Sequence, residues 1–238
     1  MEVLACVDLL DQAEKDVEAG QLKPEELTGY GWARAPLFQA QNGKCAWCEL
    51  SEQIQHNAVD HLRPKSVYWW LTWTWENLLF ACRVCNRHKS DDFPLLKGRR
   101  LMAGEQPPGA ERPALLDPAD PNVRPRDHIQ FRPVGGRWVP TPRAGSRRGE
   151  ATIRILQLDR FDLLDRYQDH VEALGDSLDA IRAAVSGGDH ATVQATWRRT
   201  LQRRTRPRQP LIALTLDVLD HHFPPRLREH FGLILPTR

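Results

Sequence analysis

Four of the five cysteines are arranged as two Cys-x-x-Cys pairs. Cys45 and Cys48 form the first pair, and Cys82 and Cys85 form the second. A two-residue gap lets both sulfurs of a turn face one ion, and two such turns supply the four thiolates of a tetrahedral zinc shell. The spacing therefore predicts a structural Zn²⁺ site, although two redox motifs or chance spacing would give the same pattern. Four sulfurs leave no open position for catalysis, and the remaining Cys6 is assigned no role.

A second set of polar residues lies between and just after these pairs. Asp60 and His61 are adjacent, Asn77 precedes a Leu-Leu dipeptide, and Asn86 and Lys89 follow the last cysteine. Taken singly, a histidine, carboxylate or amide more often has a surface or structural role. Their order and spacing relative to the cysteines instead favour a catalytic centre.

The motif resembles that of the HNH, or ββα-metal, endonucleases over about residues 40–96. Their pattern runs Cys-x-x-Cys, an acidic residue or His followed by His, Asn-Leu, and Cys-x-x-Cys-[His/Asn]-x-x-Lys. Each element has a counterpart in CAWCE, DHLRPKS and WENLLFACRVCNRHK. The local sequence is most similar to that of HNH proteins of bacterial anti-phage defence, of Septu and retron type. The stretch 151–160 extends this resemblance.

The resemblance implies a role for each polar residue. Asp60 and Asn86 would hold one catalytic divalent ion, and oxygen ligands suit Mg²⁺ or Mn²⁺. His61 would be the general base that activates water, because imidazole titrates near neutrality. Asn77 would orient the loop or ring of His61. Three cations are candidates for contacts with neighbouring phosphates: Arg63, Lys65 and Lys89.

The implied fold is α+β. A ββα-metal HNH core with a four-cysteine zinc site is followed by a Pro-rich arm and a helical C-terminal region. The expected division is an acidic N-terminal helical segment at 1–30, the nuclease core at 31–96, a Pro/Arg-rich arm with a possible hairpin at 97–146, and the helical region at 147–238.

Periodicity and turn residues predict the individual elements. Apolar spacing and glycine or Asn-Gly stops give helices over about 4–19 and 33–41. A hairpin is expected between His128–Arg132 and Arg137–Val139. Further along, the patterns predict one long helix from Asp159 or Asp162 to Gly187, another from the Asp189 cap to about 204, and a third over 211–222.

Two clusters have alternative interpretations. The aromatics at 68–75 could stack on nucleobases, but a small zinc-bound fold needs aromatic filling, so a core role is favoured, with one or two of them at a partner or DNA surface. The six arginines within 198–208 fit a nucleic-acid face or a solvated helix face about equally well.

Composition and charge limit the class and location of the protein. The chain has 238 residues, 41% hydrophobic and 27% charged, which is ordinary for a globular protein. No apolar run approaches the ~18 residues of a membrane helix, and the N-terminus does not resemble a signal peptide, so a cytoplasmic protein without membrane contact is expected. Residues 1–30 carry 8 acidic and 2 basic side chains, whereas 97–148 carry 11 basic and 5 acidic.

The resulting functional hypothesis is a metal-dependent endonuclease that acts on DNA. The resemblance further implies a defence effector that works with an ATPase or retron partner. One alternative is a non-catalytic zinc module that binds nucleic acid or protein. Another is a homing or restriction-type nuclease with its own sequence specificity, although no sequence-reading module is recognisable.

Overall fold

The computed structural model describes residues 3–236, with side chains described from residue 8 onward. Its contacts group the chain into two compact units. The first contains the residues up to 47 together with 52–123, and the second contains 48–51 together with the residues from 124 onward. The predicted arm is therefore divided, with residues 97–123 in the first unit and 124–146 in the second.

The first unit contains three helices and two antiparallel strand pairs. Its elements are α1 (Val3–Glu18), α2 (Arg34–Ala40), β1 (Ala58–His61), β2 (Leu78–Ala81), α3 (Arg83–Lys89), β3 (Leu95–Lys97) and β4 (Arg112–Pro113). The two helices predicted before residue 42 are confirmed to within a residue at each end. Strands β1 and β2 followed by α3 make the expected ββα arrangement, so the predicted α+β fold is confirmed.

The pairing of β1 with β2 separates the side chains of this hairpin onto two faces. Val59 lies opposite Phe80 and His61 opposite Leu78, while Asp60 lies opposite Leu79. Because successive side chains of a strand point to opposite faces, Asp60 and His61 project in different directions. A core of Ala33, Leu37, Val59, Leu78 and Phe80 packs α2 against the face that carries His61.

Two polar groups cap the short helix α3 at its N-terminus. The Cys82 sulfur accepts a hydrogen bond from the backbone N–H of Cys85, and the Asn57 side-chain oxygen accepts one from Arg83. Asn57 is itself fixed by donating to the Glu52 carboxylate at 2.8 Å. These contacts satisfy N–H groups that a helix leaves unpaired at its start.

The segment 97–123 is extended and loop-rich, as its prolines predict, and a glycine is essential to its path. Gly98 has φ +88°, and a Cβ placed there would lie 1.9 Å from the carbonyl oxygen of Ala110. Only glycine permits both this backbone conformation and so close an approach of the returning chain.

The second unit joins a β-hairpin to six helices among its described residues. Its elements are β5 (Ile129–Val134), β6 (Arg137–Pro142), α4 (Arg147–Leu156), α5 (Phe161–Glu172), α6 (Gly175–Gly187), α7 (His190–Arg204), α8 (Ile212–His222) and α9 (Pro225–Phe231). The hairpin, the Asp189 cap and the helix ending at residue 222 are confirmed. Buried Asp217 of α8 accepts hydrogen bonds from Arg126, Arg143 and the backbone N–H of Phe131, which joins the hairpin to the helices.

The prediction of one long helix ending at Gly187 is wrong, because the chain breaks between α5 and α6. The guanidinium of Arg204 donates to the carbonyl oxygen of Ala173 at 2.6 Å. Leu174 is buried at the turn, and Gly175, a weak helix former, begins α6. The apolar period continues through the break, so periodicity alone did not reveal it. Helix α9 was also missed, since Pro225 begins it at a position where proline is favoured.

Across the described residues, 3–236, there is no helix with both the length and the apolar character needed to span a membrane.

Candidate active site

The four paired cysteines converge at one place. The sulfurs of Cys45, Cys48, Cys82 and Cys85 all lie within 4.8 Å of one another, and all four residues are buried. Tetrahedral zinc with Zn–S bonds of ~2.3 Å requires sulfurs about 3.8 Å apart, so this cluster has the size of a zinc shell. Backbone N–H groups of Trp47 and Cys82 point to the Cys45 sulfur at 3.4 and 3.3 Å. These two N–H groups help to hold the Cys45 sulfur in its place within the cluster.

The carboxylate of Asp60 is buried beneath the first cysteine turn. Its Oδ2 accepts a hydrogen bond of 2.7 Å from the indole Nε1 of Trp47. Its Oδ1 lies 3.6 Å from the ammonium Nζ of Lys89, whose side chain is fully buried. Burial raises the pKa of Asp60, and the neighbouring Lys89, the Trp47 indole and the His61 backbone N–H lower it in part.

Helix α3 presents its candidate ligand on the same side as Lys89. Asn86 precedes Lys89 by three residues, so the two share a helix face. Since Lys89 reaches Asp60, that face is turned toward β1. His88 lies two residues from Asn86 and therefore on another face of the helix. The carboxylate and the amide thus offer oxygen donors of the kind that suits a hard divalent cation.

His61 lies on the opposite face of β1 and has separate partners. Its Nε2 is 2.9 Å from the carbonyl oxygen of Thr72, and its ring meets the edge of Tyr30 at a centroid distance of 4.7 Å. A carbonyl can only accept, so this contact requires a proton on Nε2. Burial, together with the charges of Lys65 and Lys89, lowers the pKa of His61 from 6.5 to about 4, and the hydrogen bond with Thr72 opposes part of this shift. The ring is therefore neutral near pH 7, with its lone pair on Nδ1.

Asn77 holds the loop that follows His61. Its Oδ1 accepts from the backbone N–H of Arg63 at 2.8 Å, and its Nδ2 donates to the carbonyls of Arg63 and Leu71 at 3.1 and 3.2 Å. Its own carbonyl accepts from Leu62. These contacts anchor the loop after His61, and the orienting role of Asn77 stays a prediction.

The three cations predicted to contact phosphate all have partners inside the protein. Arg63 is buried, with its Nε 2.8 Å from the Glu111 carboxylate, and Lys89 faces Asp60. Lys65 donates to the carbonyl oxygen of Leu27 at 2.6 Å. Their phosphate contacts stay predictions, which this arrangement does not favour for Arg63.

Three residues of the site were not predicted from the sequence. Trp47 bonds Asp60, Thr72 bonds His61 through its backbone, and Glu111 bonds Arg63. A backbone carbonyl carries no residue signature, and Glu111 lies 48 residues from its partner. Of the three, Trp47 alone had a positional hint, since it lies between the first two cysteines.

These features define a ββα domain with a metal-binding cysteine cluster, and the comparisons agree. Residues 45–92 match the model of the HNH endonuclease family. The chain is similar to the Septu protein PtuB of Bacillus mycoides, with 31% identity over 141 residues, 52% of this chain and 45% of that protein. It is also similar to the Septu protein PtuA of that organism, with 27% identity over 138 residues, 52% of this chain and 18% of that protein.

The similarity spans less than half of the length of either relative. No solved structure matches the chain.

Proposed function

We propose that this chain is a metal-dependent endonuclease that hydrolyses phosphodiester bonds of DNA. The observation that carries the proposal is the pairing of two adjacent, buried groups at the end of β1. Asp60 is held by Trp47 and Lys89, and His61 is held by Thr72. A purely structural zinc module would need neither a buried carboxylate nor a buried neutral imidazole at this strand end.

His61 supplies the general base. Because the Thr72 carbonyl fixes the proton on Nε2, the lone pair on Nδ1 is available to accept a proton from water. The lowered pKa keeps the ring in its basic, neutral form at pH 7. Asn77 and Thr72 fix the position of the ring and the following loop, which limits the motion that would misalign proton transfer.

Asp60 and Asn86 would hold the catalytic Mg²⁺ or Mn²⁺. When bound, such an ion supplies positive charge that polarises the scissile phosphate and stabilises the leaving oxygen. The four cysteines would hold Zn²⁺ for structure alone. This division separates the soft sulfur ligands from the hard oxygen ligands, as the chemistry of the two ions favours.

The biological setting that we propose is anti-phage defence with an ATPase or retron-type partner. Support comes from the resemblance of the motifs to Septu-type HNH proteins and from the matches to proteins named Septu PtuB and PtuA. A nuclease that acts in its own cell requires restraint until infection, and a partner protein would supply it.

Nicking of supercoiled plasmid tests the proposed activity. Wild type with Mg²⁺ or Mn²⁺ should nick, whereas His61→Ala and wild type in EDTA should lose at least ~100-fold of that activity. His56→Ala, a change at an exposed histidine nearby in the chain, is the matched control and should cut normally.

We expect about one zinc per chain in wild type, His61→Ala and His56→Ala. Equal zinc content would exclude misfolding as the cause of lost nicking activity. Equal activity of His61→Ala and wild type would reject the proposed base. If wild type cleaves neither alone nor with the proposed partner protein, the result would favour the non-catalytic zinc module.

A further inference from the structure

Two tryptophans of the first unit form a stacked pair that is exposed to solvent. The rings of Trp32 and Trp75 have centroids 6.3 Å apart and planes inclined by 23°. Their exposed fractions are 45% and 40%, whereas Tyr68, Trp70 and Trp73 of the same aromatic stretch are buried. The predicted core role is thus confirmed for those three residues. Burial of an indole is strongly favourable, so core packing does not account for the exposed pair.

Short segments connect this pair to the candidate active site. Tyr30, which contacts the His61 ring, lies two residues before Trp32. Asn77, which holds the loop after His61, lies two residues after Trp75. Two residues span at most ~7 Å. The backbone of each tryptophan is therefore within that distance of a residue that positions the proposed base or its loop.

We propose that Trp32 and Trp75 form a stacking platform for a nucleobase of the substrate strand beside the scissile phosphate. The inference rests on the proposed nuclease function and names how the strand is held. Exposed Arg34 follows Trp32 by two residues, and the Lys65 ammonium lies 5.3 Å from the Tyr30 ring. These cations favour a ligand that carries phosphates. The exposed carboxylate of Glu76, beside Trp75, has the opposite charge.

The size of the platform favours a nucleobase over a protein surface. Stable protein interfaces bury about 800 Å² on each partner, far more than two half-exposed indoles provide. A planar base needs only one aromatic face, and such stacking tolerates every base because each has a π face. The near-parallel rings offer an outer face of this kind.

Binding of labelled oligonucleotides by the full chain tests the platform. The probes are oligothymidylate and oligouridylate of about 12 nucleotides, and an abasic strand of equal length, all without added Mg²⁺ or Mn²⁺ so that none is cut and the cysteine cluster keeps its zinc. We expect Trp32→Ala and Trp75→Ala to weaken binding of the base-bearing strands by about 5- to 100-fold and to leave binding of the abasic strand unchanged. Trp75→Phe keeps an aromatic face and should retain most of the affinity.

Phe161→Ala, which removes an exposed aromatic of the second unit, is the matched control and should bind as wild type does. Unchanged affinity in the tryptophan variants would overturn the platform, as would an equal loss for the abasic strand or no binding of any strand by wild type. Retained binding after addition of a protein partner but not before it would also overturn the proposal, because the pair would then serve that partner.

Failure of the platform and failure of the nuclease are separate results. Cleavage by wild type with unaffected binding in the tryptophan variants rejects the platform alone. Base-dependent binding without any metal-dependent cleavage rejects the nuclease and leaves the platform in place.

Discussion

Glu111 is the buried acceptor that fixes Arg63, two residues after His61. Its carboxylate accepts from Arg63 Nε at 2.8 Å, from the Tyr68 hydroxyl at 2.5 Å and from the backbone N–H of Leu101 at 3.1 Å. Burial and the Glu111 carboxylate raise the pKa of Tyr68, so its hydroxyl stays a donor. The loop after His61 is therefore held twice. Glu111 holds it through the side chain of Arg63, and Asn77 holds it through the backbone of Arg63.

Glu111→Gln should therefore destabilise the protein. The variant keeps the shape but removes the charged ion-pair partner of the buried Arg63 guanidinium, which costs about 3 kcal/mol in buried pairs. The measurement is the free energy of unfolding in urea. Glu105→Gln, which breaks the exposed pair with Arg99, is the control and should change little. Equal stability of the two variants would show that the Glu111 network does not hold the loop.

The residues of the site differ in how far the sequence could reveal them. Cysteine spacing and the Asp60-His61 dipeptide are local, so their type and order sufficed to single them out. Glu111 binds Arg63 and Tyr68, which lie 48 and 43 residues away in the chain, and no periodic pattern indicates these contacts. The pairing of Arg63 with Glu111 was not predicted, because an arginine beside a motif gives no indication of a buried carboxylate elsewhere in the chain.

Helix α3 depends on the four-cysteine cluster for its stability. It has seven residues, well below the ~12–15 at which an isolated helix becomes stable. Two of the clustered cysteines, Cys82 and Cys85, lie at its start, and buried Lys89 ends it. Zinc binding is therefore expected to supply the stability that this helix lacks on its own.

Cys85→Ser should remove the bound zinc and lower the melting temperature by 10 °C or more, on the order of several kcal/mol. Plasmid cleavage should be lost as well, because α3 carries Asn86. Zinc content, thermal unfolding and nicking measure the three effects. Cys6→Ser, at the cysteine outside the pairs, is the control and should retain zinc. Full zinc content in Cys85→Ser would contradict the four-cysteine assignment.

The contact between α5 and α8 predicts a pH dependence of stability. His170 Nε2 lies 2.7 Å from the Thr215 hydroxyl. Burial, aided by the charge of Arg204, lowers the pKa of His170 from 6.5 to about 4. The unfolded chain therefore binds this proton as pH falls through 6.5, while the folded chain does not until about pH 4. Folding stability should fall across this window and show no effect of His170 above it.

His170→Gln should flatten this part of the stability profile. Glutamine can still meet the Thr215 hydroxyl but carries no titrating group, so its loss of stability between pH 6.5 and 4 should be smaller by roughly 2 kcal/mol. Urea unfolding at several pH values measures the difference. Parallel profiles for the variant and wild type would show that the ring protonates freely in the folded chain.

Sequence patterns recovered elements best where a strong stop residue was present. Asn42-Gly43 and the Asp189 cap marked helix ends that the structure confirms. The break at Ala173 to Gly175 depends on Arg204, which approaches from another helix, and no local signal records such a contact. A tertiary hydrogen bond therefore accompanies the helix break that periodicity did not reveal.

At the scale of the whole molecule, the charge asymmetry has a structural explanation. The stretch 97–148 carries 11 basic and 5 acidic side chains, but several of its arginines have partners within the protein. Ion pairs join Arg99 to Glu105, Arg137 to Asp165, and both Arg126 and Arg143 to Asp217. A residue that already neutralises an internal acid contributes little to the attraction of phosphates. Net charge along the sequence therefore overstates the charge that a nucleic acid would meet.

Arg126→Gln should consequently affect folding and not the electrostatics of binding. It removes the 2.9 Å contact to buried Asp217, which keeps Arg143 and the Phe131 N–H as donors, so stability should fall by about 1–3 kcal/mol. The slope of log affinity for oligothymidylate against log salt should stay as in wild type, because no phosphate contact is lost. Lys97→Gln, at an exposed cation of the same stretch, should leave stability unchanged. A slope reduced by about one in Arg126→Gln, with unaltered stability, would assign the arginine to the nucleic acid instead of to Asp217.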